Sequence, residues 1–114
     1  MERKPESGAK ILMFKEGSLQ DILNGRKKIE VRGTNYKSGV YWFGCKGVLH
    51  AVARLGPGTL VESQKDFERL REHHLMDSLP YSRTYLFQIL GCEQRKLSFH
   101  HTKGAVSIVR YRRT

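Results

Sequence analysis

The sequence predicts one small α+β domain, a mostly antiparallel β-barrel of about six strands with two helices. Three observations predict it. Short apolar runs recur along the chain, separated by glycine-containing turns such as Gly44-Cys45-Lys46 and Gly56-Pro57-Gly58. Two stretches carry a helix-start signature, Ser18-Leu19-Gln20-Asp21 and Ser63-Gln64-Lys65-Asp66. In each, a hydroxyl can satisfy an orphan N–H while an acid three residues on reaches back. At 114 residues with 39% apolar content, the chain can build one core and not two.

In order along the chain, residues 1–9 read as a disordered lead-in and residues 10–112 as the domain. The apolar run 9–14 predicts the first strand. Ser18 is expected to cap a short helix whose apolar face is Leu19, Ile22 and Leu23, and Gly25 supplies its left-handed stop. Residues 28–32 alternate, so Ile29 and Val31 face the core while Lys28, Glu30 and Arg32 share the other side. Strands follow at 40–43 and 47–55, divided by a turn at 44–46. A second helix runs from Ser63 to about Met76, with Phe67, Leu70 and Leu75 inward and Glu62, Glu68 and Glu72 outward. Residues 84–90 predict a buried strand, 95–99 a shorter one and 105–111 the last.

Charge points to a partner. Formal net charge is +10, and the excess is segregated. Between Lys27 and Val61 six Lys/Arg face one acid, Glu30; from Gln94 to Thr114 six more face none; five of the eleven acids fall between Glu62 and Asp77. A basic surface set apart from an acidic patch attracts polyanions, and RNA or another single-stranded nucleic acid is the expected one. Tyr36 and Trp42, interleaved with Lys37, are candidate rings for stacking a base, and Arg110 and Arg112 extend the basic surface at the last strand.

Other classes are set aside. Cys45 and Cys92 make neither a disulfide framework nor a metal quartet, so a reducing intracellular location is expected, in cytoplasm or nucleus. Met1 to Lys10 has no apolar leader, and no run approaches the ~18 residues that span a membrane. The pairs His73-His74 and His100-His101 lack a third ligand at useful spacing, so no metal and no cofactor is expected. A monomer is expected.

Chemistry concentrates in Gly25-Arg26-Lys27-Lys28-Ile29-Glu30-Val31-Arg32. Lys27, just past a helix end, could contact a phosphate or serve as a base. Glu30 could accept from an exocyclic amine or activate a water, or simply hold Arg32 in place by ion pairing. Arg32 could grip a phosphate or carbonyl oxygen in fork geometry.

Gly25, Lys27, Glu30 and Arg32 match G-x-K-x-x-E-x-R, and the chain here resembles the ASCH domain, a branch of the PUA-like β-barrel superfamily. The order of strand, short helix, motif strand, Gly-containing hairpin and capped helix with an F-x-x-L face is similar too. The resemblance implies a barrel whose cleft, against the motif, takes RNA or a modified nucleoside. It also implies an alternative: some compact ASCH proteins remove an acetyl group from N4-acetylcytidine nucleosides, and others are ribonucleases. As a hydrolase, the chain would use Lys27 and Glu30, with Glu72 as the helix carboxylate. The deacetylase branch keeps a nucleophilic threonine three residues after the lysine. Here that position is Glu30, so a threonine mechanism does not carry over.

Overall fold

A computed structural model of the chain describes residues 4–99 and 108–112. Its elements are β1 (Lys10–Met13), α1 (Glu16–Leu23), β2 (Ile29–Arg32), β3 (Gly39–Cys45), β4 (Val48–Leu55), β5 (Thr59–Val61), α2 (Gln64–Glu68), α3 (Arg71–His74), β6 (Thr84–Ser98) and β7 (Ile108–Arg110). The strands form one curled sheet in the order β2-β6-β4-β3-β1-β7, with β5 also paired to β6. The β1–β3 pair is parallel and the other described pairs are antiparallel. The result is an α+β half-barrel of the expected class, with a third short helix.

β6 holds the sheet together. Residues 84–90 and 95–99, expected as two strands, are one. Its first half lies between β2 and β5, and its second half runs along β4. Against β4 the register slips twice, between Leu49 and Ala51 and between Val52 and Arg54, each slip adding a residue on the β6 side. Gly91, in the left-handed region at φ +55, sits at the second of these. Bulges bend a strand and deepen its twist, and this lets one strand pair with β2 and β5 in its first half and with β4 in its second.

The sheet is covered on both faces. Leu12, Phe14, Tyr41, Phe43, Leu55 and Phe87 pack with Leu19 and Ile22 of α1. Ile11, Met13, Trp42, Leu49, Val52 and Val109 pack on the opposite side. Trp42 is therefore a core residue, although alternation had left it free to face a ligand. Cys45 ends β3 and is buried. The hairpin turn is Lys46-Gly47, at φ 50 and 77, the twist a two-residue connection between right-twisted strands demands.

The helices differ most from expectation. α1 starts before Ser18, with Lys15 at its N-cap and Glu16 in the first turn, where a carboxylate favours the positive end of the helix dipole. Ser63 does cap α2, accepting from Asp66 N–H at 3.1 Å. That helix then breaks. The Phe67 carbonyl bonds Leu70 N–H at 3.2 Å and the His74 ring at 2.7 Å instead of continuing the regular ladder. Leu75 caps α3 at φ 62, and this left-handed turn leaves its side chain exposed while His74 occupies the inward position. Before β1, Pro5 is buried, and Gly8 and Ala9 are tied to the residue after β7, with Gly8 N–H donating to Tyr111 O at 2.8 Å and Tyr111 N–H to Ala9 O at 2.9 Å. Among the described residues no helix is long and apolar enough to cross a membrane.

Candidate functional site

The site begins where α1 ends. Gly25 adopts φ 77; its N–H donates to Ile22 O at 3.0 Å, and Arg26 and Lys27 N–H both reach Asp21 O, at 2.9 and 3.0 Å. This is a glycine-terminated helix cap in which carbonyls of the last turn are satisfied and the chain reverses. Lys28 N–H then donates to His73 O at 2.8 Å, and Lys28 O accepts from Ile89 N–H at 3.0 Å. Lys27 is thus fixed between α1, α3 and β6, and its side chain is buried at 6% exposure.

In β2, Ile29 and Val31 turn toward Phe67, Leu70 and Leu86 beneath α2 and α3. Glu30 and Arg32 turn the other way. The Glu30 carboxylate takes three partners. Its Oε1 lies 3.4 Å from Lys27 Nζ and accepts from Val31 N–H at 3.2 Å, while Oε2 accepts from Arg32 Nε at 2.8 Å. Arg32 Nη2 donates to Met13 O at 2.6 Å, and its guanidinium lies 4.8 Å over the Phe14 ring. Burying three charges carries a desolvation cost, which only this degree of mutual pairing and hydrogen bonding offsets. Two cations against one carboxylate leave the cluster net positive.

A cleft of about 970 Å³ opens over the cluster. Lys27, Glu30 and Arg32 form one part of its lining; Phe14, His74 and Met76 are among its apolar and aromatic walls, and Tyr81 lines it as well. Glu16 and Lys46 pair at 2.9 Å beside it, and that contact holds the Glu16 carboxyl below its ordinary pKa. His74 stacks on Phe67 with centroids 4.0 Å apart. Its Nδ1 accepts from Met76 N–H at 3.0 Å, so Nε2 carries the proton given to Phe67 O. Burial lowers the His74 pKa from its ordinary 6.5, with the Phe67 carbonyl opposing and Lys27, His73 and Arg71 adding to the fall. The ring is a neutral strut between α2 and the Leu75-Met76 wall.

Of the residues expected at a site, Lys27, Glu30 and Arg32 come together. Lys28 is exposed and is not part of the cleft lining, and the ion partner of Glu30 is Lys27 in its place. Tyr36 packs half-buried near Tyr41 and Phe87, with centroids 6.5 and 6.1 Å away, and Lys37 is exposed with its carbonyl accepting from Tyr41. Trp42 is in the core. Arg110 and Arg112 are exposed at the β7 end, the opposite edge of the sheet from β2. Glu72 is exposed on α3, 3.6 Å from His73, and does not line the cleft. His100, His101 and residues 105–107 of the expected last strand lie outside the described residues.

Phe14, Met76 and Tyr81 line the cleft without having been expected at a site, and His74, expected only as half of a histidine pair without metal, lines it too. His74 had a usable signal, because it stands two helical turns after Phe67 on the same face. Tyr81 had none. Among the described residues no three His, Cys, Asp or Glu side chains gather as a metal site.

No family model matches the chain, and no curated protein does. A solved structure matches it: a serine-to-alanine mutant of ZmASCH from Zymomonas mobilis, with TM-score 0.72 over 96% of this chain and 92% of that one, at 11% sequence identity. At that identity the likeness is one of fold. The chain has the fold of an ASCH domain protein, the architecture that the G-x-K-x-x-E-x-R resemblance implied.

Proposed function

We propose that the chain binds a nucleoside-sized ligand, free or as one unpaired nucleotide of RNA, in the cleft beside Lys27, Glu30 and Arg32. One observation carries this. Lys27 places a buried ammonium in the cleft lining, in a cluster that sets two cations, Lys27 and Arg32, against the single Glu30 carboxylate. Such a group is worth its desolvation where it meets an acceptor oxygen of a ligand. Glu30 takes a different role from an amine acceptor, since its two oxygens already serve three donors. It organises the cations, and they face the ligand's phosphate or carbonyl oxygen. Arg110 and Arg112 would add phosphate contacts only for a longer strand.

Hydrolysis has weaker support. The Glu30 oxygens are already taken by Lys27, Arg32 and Val31, and Glu72 does not line the cleft. The test is Lys27→Met, which keeps the packed stem and removes the charge. Losing one charged hydrogen bond, about 1.5–3 kcal/mol, should weaken binding of a short single-stranded RNA at low salt roughly tenfold or more. Wild-type affinity should also fall steeply as salt rises. Equal affinity in a folded Lys27→Met protein would remove the cleft from the reading.

A further inference from the structure

A base held in the cleft needs a group to meet its flat face, and Trp42 and Tyr36 are not placed to do it. Trp42 is in the core, and Tyr36 packs among Tyr41 and Phe87 outside the cleft lining. We infer that Tyr81 is the stacking platform of the cleft, so that the ligand it takes is a planar ring, a nucleobase or an equivalent heterocycle.

Among the described residues Tyr81 is the one Tyr, Phe or Trp that is exposed, at 47%, and it lines the cleft that holds Lys27 and Arg32. The other aromatic carbocycle there, Phe14, is 9% exposed and covered by the Arg32 guanidinium. An exposed ring is ordinarily a mobile surface group, but Tyr81 is seated. Its carbonyl accepts from the hydroxyl of Thr84, a buried residue, at 3.0 Å. Its ring lies against Gly33, the residue directly after Arg32, so closely that a Cβ at that position would stand 3.0 Å from both Cγ and Cδ1. A glycine there lets the ring approach the motif strand. A ring held in place before binding loses little freedom on stacking, which is where pre-organised aromatics gain affinity. The half of its surface left exposed is available to a second flat group.

The inference rests on ligand binding at the cleft, and two probes separate the two statements. Binding of uridine 5′-monophosphate and of ribose 5-phosphate is measured by calorimetry for wild type, Tyr81→Ala, Tyr81→Phe, Gly33→Ala and Lys27→Met. Stacking one base is worth about 1–3 kcal/mol, so Tyr81→Ala should weaken the nucleotide at least about fivefold. It should leave ribose 5-phosphate unchanged. Tyr81→Phe should bind the nucleotide nearly as wild type, and Gly33→Ala should fall between because the ring must shift. Wild-type nucleotide affinity in Tyr81→Ala overturns the platform, while a loss in Lys27→Met still upholds the cleft. If wild type binds neither probe, the cleft reading fails and Tyr81 falls with it.

Discussion

Replacing Glu30 with glutamine is expected to cost the fold about 3–5 kcal/mol, because it leaves Lys27 and Arg32 buried without their shared counter-charge. Domains of this size are stable by only about 5–15 kcal/mol, so the variant should approach the limit of folding. Its thermal midpoint should drop by roughly 10 °C or more. The loss belongs to the uncompensated cations rather than to the missing carboxylate as such. Glutamine keeps the shape and still offers an oxygen to Arg32 Nε. Lys27→Met should therefore restore part of the stability when added to Glu30→Gln, although on its own it removes an ion pair. That non-additivity is the signature of residues sharing one network. Urea unfolding of the two single variants and the double variant, followed by circular dichroism, measures it. A Glu30→Gln midpoint equal to wild type would mean that the three charges are solvated, and the account of the site would have to be given up.

The sequence made part of this site legible and hid the rest for identifiable reasons. Gly25, Lys27, Glu30 and Arg32 could be picked out because a glycine stop and a period-two run fix where a helix ends and a strand begins. The partner of Glu30 could not. Strand alternation pointed to Lys28, but β2 starts at Ile29, and the orientation of Lys27 is set by the helix cap before it. Trp42 was misjudged because alternation assumes one wet face, and β3 is buried on both. The long helix predicted after Ser63 breaks at Leu70, where the Phe67 carbonyl is taken by the Leu70 N–H and the His74 ring, an arrangement that the apolar spacing did not announce. β6 read as two strands since Gly91 and its polar neighbours look like a turn when they are in fact a bulge. Tyr81 lies in a stretch without periodicity, and the residue its ring packs against, Gly33, stands nearly fifty positions earlier in the chain.

His74 should make the protein acid-labile, with the effect lying below neutrality. Its folded-state pKa is lowered from 6.5, chiefly by burial, so the unfolded chain takes up the proton first as pH falls. The neutral ring's contribution is fully present above about pH 6.5 and declines as pH drops from there toward the lower folded value. Geometry gives the same sign. Protonation would place a second N–H on Nδ1, against the Met76 N–H that now donates to it at 3.0 Å, beside the charges of Lys27, His73 and Arg71. Removing the ring is costly in itself. In His74→Leu the Phe67 carbonyl keeps only the Leu70 N–H and the Met76 N–H loses its partner, at about 1–3 kcal/mol for the unsatisfied donor, so the variant should be less stable at pH 7.5. Yet its stability should change less between pH 7.5 and 5.5 than that of wild type. Urea midpoints at the two pH values decide the matter. An identical acid-induced fall in both proteins would assign the lability to other groups, the four remaining histidines among them. A steeper fall confined to wild type would identify His74 as the proton acceptor. It would also place that proton on the strut supporting Leu75 and Met76, so ligand affinity at the cleft should weaken over the same pH interval.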